Sequence, residues 1–180
     1  MFRWGWNGQQ GKPRRTESHR VLASVRELSW EGYWALVADI FRRSGHAVFA
    51  GEGPDRDVID MEVYPREIGG YAEISRGPLE PRDGLGRLIV NCQLRGMRQI
   101  STAPLEEMVQ VAERNGADRV LVITDGDFSP EAHSYAAGRP LILVDGEALL
   151  ELVLELTLGD ERDRRLGARL ARLFTRGASN

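Results

Sequence analysis

A short apolar run near the middle of the chain limits its fold more than any other stretch. Residues 119–124 read RVLVIT, with four apolar side chains in succession. Such a run is typical of a strand that is buried on both faces of its sheet. Residues 104–115 before it have apolar side chains at helical spacing, and Ser129 with Pro130 after it has the pattern of a helix start. A buried strand between helices predicts an α/β domain.

Further elements extend this pattern in both directions. Ser29 is a suitable N-cap and Gly45 a suitable stop for a helix whose core side chains recur every three or four residues. These side chains are Trp30, Tyr33, Trp34, Val37, Ile40 and Phe41. We also predict strands at 46–50, 58–64, 87–94 and 141–144, a hairpin strand at 71–75, and a leucine-rich helix that Asp145 caps and that extends through residue 158.

Length and composition are those of one globular domain. The 180 residues are 42% hydrophobic and 28% charged, which is enough apolar material for a core and argues against wholesale disorder. No stretch approaches the roughly 20 apolar residues that span a bilayer, and the first residues lack a signal-peptide core, so we expect a cytoplasmic protein. The single cysteine, Cys92, excludes an intrachain disulfide and a zinc site built on several thiolates.

Charge divides the chain into a basic start, an acidic middle and a basic end. Residues 1–20 hold five basic side chains against one acid, and residues 160–180 hold six arginines against three acids, while the whole chain has a net charge of −3. We predict an N-terminal basic and aromatic arm at 1–17, an α/β domain at 18–158, and an amphipathic arginine-rich helix with its tail at 159–180. Any contact with nucleic acid should then depend on the ends or on a local patch.

Both ends allow more than one interpretation. The arm is either an ordinary terminus or an aromatic segment that lies on nucleic acid or on a partner chain. The C-terminal helix places Arg165, Arg169 and Arg172 on one side. These arginines either form a solvated surface, contact nucleic-acid phosphates, or face a partner or a membrane surface.

One acidic residue stands out in a stretch that is otherwise apolar. Asp60 lies in an alternation formed by Val58, Ile59, Met61 and Val63. A carboxylate is costly there unless it is solvated at the strand end, paired with an arginine, or bound to a cation. The first two interpretations are structural, and the third predicts a metal site.

Other polar residues have structural interpretations. We interpret Asp125 and Asp127 as turn and cap residues, although an acid at a strand end of an α/β sheet lies where ligands often bind. His46 and His133 have no spacing that predicts a metal pair, so we expect structural roles for both. The sequence has no G-x-x-x-x-G-K-[ST] loop, which excludes a P-loop ATPase.

Several segments in a fixed order resemble a known family. An aromatic helix with an early glutamate is followed by GHAVFAGEGPDRDVID, LIVNCQLRG, GADRVLVITDGDFSPEAHSYA and PLILVDGEALLELV. Together, over residues 30–152, they resemble the catalytic domain of Mrr-type restriction endonucleases, which belong to the PD-(D/E)XK nucleases. The resemblance implies a restriction-endonuclease-like core, with a central mixed β-sheet flanked by helices on both faces, and action on DNA.

The resemblance also implies site residues. The family's Mg²⁺-binding carboxylate corresponds to Asp60, and its Q-x-K tripeptide corresponds to Asn91, Cys92 and Gln93. The glutamate of the first helix corresponds to Glu31, which the resemblance implies as a further metal residue. In the family the glutamine or acid of the tripeptide assists the metal, and the lysine acts on the attacking water and the phosphate.

This sequence departs from the family pattern at the tripeptide. Gln93 stands at the lysine position and Asn91 where a glutamine or acid is expected, and the only lysine of the chain is Lys12 in the arm. Arg95 on the same strand face would supply a cation but not a base. Residues 73–75 are an alternative tripeptide strand, which also lacks a lysine. Losing one charged stabiliser of a transition state costs about 3 kcal/mol, or roughly a hundredfold in rate.

Three functions are consistent with these residues. The first is a DNA-binding protein of the restriction-endonuclease fold with a degenerate or weak cleavage site. The second is an active Mg²⁺-dependent DNA endonuclease that uses Asp60 with Gln93 in place of lysine. The third is a small-ligand or nucleotide-binding α/β module that uses the loop after Thr124. The sequence leaves open whether the chain forms a homodimer or binds a partner protein.

Overall fold

The computed structural model describes residues 15–51, 55, 58–65, 87–93 and 99–157. Within these residues the chain forms five helices and seven strands. In order they are α1 (Arg15–Arg26), α2 (Trp30–Arg43), β1 (His46–Ala50), β2 (Met61–Pro65), β3 (Leu88–Gln93), β4 (Gln99–Ile100), α3 (Thr102–Asn115), β5 (Arg119–Thr124), β6 (Asp127–Phe128), α4 (Pro130–Ala136), β7 (Leu141–Val144) and α5 (Gly146–Thr157).

Five of the strands form one mixed sheet. Its order is β1-β2-β3-β5-β7, in which the first two pairings are antiparallel and the last two are parallel. The parallel pairs are joined through α3 and α4, as parallel strands require long crossover connections. Strands β4 and β6 form a separate two-stranded parallel sheet. The prediction of an α/β fold with a mixed sheet is confirmed.

The sheet has a hydrophobic core on each face. Leu121 and Ile123 of β5 pack into a cluster with α2 and α5, while Val120 and Val122 pack into a second cluster with α3 and α4. All four side chains are at most 2% exposed. The apolar run of β5 therefore fills both cores, and the helices cover both faces of the sheet as predicted.

Local signals place the helix ends where the sequence predicts them. The Ser29 hydroxyl accepts a hydrogen bond from the Gly32 N–H at the start of α2, and Gly45 after its end has a φ of 88°, which favours glycine. Pro130 occupies the first turn of α4. Asp145 Oδ1 accepts a hydrogen bond from the Ala148 N–H at the start of α5.

Three details differ from the sequence predictions. The strand predicted at 58–64 begins only at Met61, so Asp60 precedes it. Trp30, predicted as a core residue, is 43% exposed because it opens the first turn of α2. Helix α1 begins at Arg15, inside the stretch predicted as an arm.

Other predictions concern residues outside the described part of the chain. They include the hairpin strand at 71–75, most of the arm and the arginine-rich C-terminal helix. In the described part, no helix is both long enough and apolar enough to cross a bilayer.

Candidate functional site

Asp60 reaches the end of β3 from the segment that leads into β2. Its backbone N–H donates to the Val90 carbonyl at 3.0 Å, and its Oδ2 accepts from the Cys92 N–H at 2.6 Å. The paired register of β2 and β3 ends with Met61 opposite Val90. Beyond this pair, at Asp60, the side-chain carboxylate takes the place of a backbone carbonyl and accepts the hydrogen bond from the Cys92 N–H of β3. This contact fixes the side chain of Asp60 against the strand.

Two contacts hold the backbone of Asp60 in this position. The Trp34 Nε1–H of α2 donates to the Asp60 carbonyl at 3.0 Å, and the Gly51 N–H donates to the same oxygen at 3.3 Å. A Cβ at position 51 would lie 1.8 Å from the Ile59 carbonyl oxygen, so only glycine allows the chain to pass so closely. The backbone of Asp60 is therefore held between α2 and Gly51, the residue that follows β1.

The carboxyl group of Asp60 is half-buried and has few compensating contacts. Burial raises the pKa of Asp60 to about 6, and the hydrogen bond from the Cys92 N–H opposes this rise. Among the described residues, no ion pair includes Asp60. The pairing with an arginine that would make this residue purely structural is therefore not seen in this part of the chain.

Asn91 and Gln93 form a chain of amide hydrogen bonds beside Asp60. Asn91 Nδ2 donates to the Val58 carbonyl at 2.8 Å, and Gln93 Nε2 donates to Asn91 Oδ1 at 2.5 Å. A backbone carbonyl can only accept, so Val58 fixes the orientation of the Asn91 amide, which in turn fixes that of Gln93. One N–H of each amide is thus used inside the protein.

Asp125 lies at the neighbouring strand end but has a different environment. Gln93 pairs with Thr124 across β3 and β5, which places Asp125 next to the site. The Arg26 Nε–H donates to Asp125 Oδ2 at 3.1 Å, and Arg26 NH2 donates to the Asp125 carbonyl at 2.7 Å. Asp125 lies in the bend between β5 and β6, which agrees with its interpretation as a turn residue, and it is in addition the partner of an arginine on α1. Asp127 begins the short strand β6.

Glu31 is not joined to Asp60 by any hydrogen bond in the described part of the chain. It is exposed in the first turn of α2, where hydrogen bonds with its own backbone and with the Ser29 side chain lower its pKa. Trp34, three residues further along the same helix, is the residue that reaches Asp60. The structure thus places the Asp60 carboxylate on the backbone of Cys92, the residue between Asn91 and Gln93. Arg95, Arg165, Arg169 and Arg172 lie outside the described residues.

The described side chains do not fit a tightly held divalent cation. Mg²⁺ prefers several oxygen ligands in octahedral geometry, usually with one or two carboxylates. No group of three His, Cys, Asp or Glu side chains among the described residues could hold a metal ion. Asn91 and Gln93 are neutral amides that bond to each other, and Glu31 is exposed in the first turn of α2 with no hydrogen bond to Asp60, so Asp60 is the only anionic donor at the end of β3 among these predicted site residues.

Trp34 takes part in the site although the sequence predicts it only as a core residue. Its helical spacing predicts that it is buried, but it does not predict where the indole N–H points. The two histidines behave as expected for structural residues: the ring of His46 packs edge-on against Phe41, and that of His133 against Phe128.

Comparisons with known proteins relate this geometry to one group of enzymes. The restriction endonuclease family model Mrr_cat matches residues 25–153. The DNA modification-dependent restriction endonuclease AspBHI is similar in structure, with a TM-score of 0.58 and 12% identity over 91% of this chain and 41% of that chain. No curated protein matches the sequence significantly.

Two further solved structures show weaker similarity. The MspJI restriction endonuclease in complex with a 27-mer oligonucleotide has a TM-score of 0.42 and 18% identity over 92% of this chain and 32% of that chain. A protein of unknown function, AF1548, has a TM-score of 0.48 and 15% identity over 81% of this chain and 95% of that chain. The chain spans less than half the length of AspBHI, with which it shares the fold.

Proposed function

The chain belongs to the Mrr catalytic-domain family of restriction endonucleases, and from this premise we propose that it binds DNA and cleaves phosphodiesters weakly or not at all. The proposed site consists of Asp60, Asn91 and Gln93, with Glu31 at its margin. The proposal depends on two hydrogen bonds, in which the Gln93 amide donates to Asn91 and the Asn91 amide donates to the Val58 carbonyl. Both amides are neutral groups where the family resemblance implies a cation and a metal-assisting residue.

Neutral amides supply too little charge for efficient phosphodiester hydrolysis. The reaction develops extra negative charge on the phosphoryl oxygens, and preorganised positive groups stabilise that charge. Members of the family generally use a divalent metal ion. The described donor set around Asp60 does not fit one tightly, and Gln93 has no positive charge to compensate. We therefore expect that the chain binds DNA but cleaves it weakly or not at all.

We propose that the phosphate contacts come mainly from arginines. Arg95 follows the predicted tripeptide, and Arg165, Arg169 and Arg172 belong to the predicted C-terminal helix. Guanidinium groups form paired hydrogen bonds with phosphate oxygens and keep their charge at any physiological pH. The division into arm, central domain and basic helix, a cytoplasmic location and a homodimer or partner protein stay predictions from the sequence.

An active endonuclease is the second candidate. The carboxylate of Asp60 is held at the end of β3, where the family resemblance implies the catalytic tripeptide, and this geometry favours cleavage with Gln93 in place of lysine. The third candidate, a small-ligand module at the loop after Thr124, is less favoured. Arg26 already binds the carboxylate that such a ligand would use.

DNA binding is tested by fluorescence anisotropy with a labelled duplex at several salt concentrations. The logarithm of the association constant should fall linearly with the logarithm of salt concentration, since phosphate contacts release counterions. Replacing Arg169 with alanine should make this line less steep by about one unit, because one phosphate contact is lost. Asp60→Asn removes a negative charge near the phosphates and should bind at least as tightly as the wild type. Absence of binding even at low salt would contradict the proposal.

A further inference from the structure

The connection between β1 and Asp60 is attached to the C-terminal turn of α3 through one aspartate, Asp55. Arg114 Nη2 donates to Asp55 Oδ1 at 2.9 Å, and Asn115 Nδ2 donates to Asp55 Oδ2 at 2.7 Å. Each oxygen of the carboxylate thus has its own donor, and the bond from the guanidinium is charge-assisted. These two hydrogen bonds, which we call the Asp55 anchor, fix both the position and the rotation of the carboxylate.

The backbone of Asp55 begins the turn that leads to Asp60. Its carbonyl accepts hydrogen bonds from the Val58 N–H and from the Ile59 N–H, each at 2.9 Å. A carbonyl shared by N–H groups three and four residues later closes a single helical turn. The side chain of Asp55 therefore binds α3, while its carbonyl sets the geometry of the turn.

The turn leads directly into the candidate site. The Val58 carbonyl accepts from Asn91 Nδ2 at 2.8 Å, and Gln93 Nε2 donates to Asn91 Oδ1 at 2.5 Å. Two residues after Val58, the Asp60 N–H donates to the Val90 carbonyl at 3.0 Å. Because the Val58 carbonyl orients the first amide and that amide orients the second, a rotation of Val58 changes the orientation of both.

An apolar contact also holds the turn, but it does not determine where the Val58 carbonyl points. Ile59 is 1% exposed and packs in the core cluster that includes the apolar face of α3. Hydrophobic burial is non-directional, whereas a hydrogen bond depends on angle as well as on distance. Ile59 therefore keeps the turn attached to the domain, and the contacts of Asp55 set its orientation.

We propose that Asp55 is a positioning residue of the candidate site and that it acts through Val58 on the amides of Asn91 and Gln93. The orientation of these amides is thereby coupled to an ion pair with α3. The inference rests on the proposed function only in that it takes Asn91 and Gln93 as site residues. Its test uses no DNA, so its failure and the failure of DNA binding are separate results.

The test follows the side-chain amide protons of Asn91 by NMR in the wild type and in variants of the anchor. Asp55→Ala removes both hydrogen bonds of the anchor, and exchange of the Asn91 amide with water should become about threefold faster. Asp55→Asn keeps an oxygen that accepts from Asn115, so its exchange rate should lie between those of Asp55→Ala and the wild type. The backbone amide of Val122 in β5 should exchange at the wild-type rate in every variant.

Arg114→Ala tests the coupling from the other side of the anchor. It removes one of the two hydrogen bonds to Asp55, so exchange at Asn91 should rise less than in Asp55→Ala. Glu113→Ala is the matched control, because Glu113 is exposed on the same turn of α3 and is not one of the side chains that bind Asp55. It should leave the amides of Asn91 and Gln93 unchanged.

Three results would overturn the inference. The first is exchange at Asn91 that is unchanged in Asp55→Ala. The second is an increase of equal size at Asn91 and Val122, which would mean that Asp55 contributes only to overall stability. The third is an effect of Glu113→Ala as large as that of Arg114→Ala, which would assign the change to the charge at the end of α3.

Discussion

Two aspartates at neighbouring strand ends, Asp60 and Asp125, show how differently this protein treats a partly or fully buried carboxylate. Asp125 follows β5, and the guanidinium of Arg26 binds both its side chain and its carbonyl. Asp60 lies beside the end of β3 and receives one backbone N–H. No cation in the described part of the chain pairs with it, and burial raises the pKa of Asp60 to about 6.

Asp125 thus forms a stabilising contact, whereas the carboxylate of Asp60 is not used in an ion pair within the described residues. Burying a charge is costly, and proteins usually compensate it with an ion pair as at Asp125. A carboxylate left without such a pair, with a raised pKa and beside a strand end, is a candidate for a functional residue. The comparison predicts that removing the partner of Asp125 lowers stability, whereas removing the charge of Asp60 does not.

The largest expected effect comes from giving Asp60 the charges that its surroundings lack. The paired substitution Asn91→Asp with Gln93→Lys would place a second carboxylate and a cation beside it. We expect DNA nicking in Mg²⁺ to rise by about a hundredfold over the wild type, because both groups serve the developing phosphoryl charge. A time course with supercoiled plasmid measures the rate.

The single substitutions show which group limits the reaction. Gln93→Lys alone should give a smaller gain, since the second carboxylate is still missing. Each variant must unfold cooperatively, because Asn91→Asp also loses the donor to the Val58 carbonyl. If the paired variant folds and binds DNA but nicks no faster than the wild type, then the geometry of the site is lost as well as its charge.

Arg26→Ala should make Asp125 as poorly compensated as Asp60. The side chain of Asp125 is 9% exposed and that of Arg26 is 52% exposed, so the loss is smaller than for a fully buried pair. We expect the free energy of unfolding in urea to fall by about 2 kcal/mol. Arg42→Ala is the matched control, since its partner Asp39 is exposed, and it should cost less than about 1 kcal/mol. Equal losses in both variants would remove the distinction.

Asp60→Asn should change the dependence of stability on pH. Folding raises the pKa of Asp60 from its ordinary value of 3.8 to about 6, so the folded state binds this proton more tightly than the unfolded state. The wild type should therefore lose stability as pH rises from about 4 to about 6 and then level off. Relative to the wild type, Asp60→Asn should gain about 1–2 kcal/mol over this window, after allowance for solvent screening. A difference that is independent of pH would show that Asp60 is well compensated in the fold.

Trp34→Phe should have the smallest effect of the four. It removes the indole N–H that donates to the Asp60 carbonyl, but the Gly51 N–H still donates to that oxygen. A loss of about 1 kcal/mol in denaturant unfolding is expected. Trp30→Phe, at an exposed position of the same helix, should leave stability within about 0.5 kcal/mol. If the two variants were equally stable, Trp34 would not be holding Asp60.

The sequence predicts helices and strands such as β5, α4 and α5 well, because the residues that define each of them lie within it or next to it. The apolar run of β5, the Ser129 and Pro130 start of α4 and the Asp145 cap of α5 each lie within a few residues of the element they define. The family resemblance likewise predicts the association of Asp60 with residues 91–93, which the contact with Cys92 supports.

The remaining features of the site depend on contacts between distant residues. Trp34 and Asp60 are 26 residues apart, and Arg26 and Asp125 are 99 residues apart. Hydrophobic periodicity indicates that a side chain is buried but does not identify the polar group at its tip or its partner. For the same reason the sequence predicts Trp34 as a core residue but does not predict that its indole N–H donates to the Asp60 carbonyl.

The central claim is that this member of the family recognises DNA without cleaving it efficiently. The most direct measurement is a plasmid nicking assay with Mg²⁺ or Mn²⁺, at protein concentrations that saturate DNA binding, with Asp60→Ala as the reference. We predict that the wild type binds the plasmid and nicks it no faster than Asp60→Ala. Nicking that requires Asp60 and a divalent ion would contradict the account and identify an active endonuclease that works with Gln93.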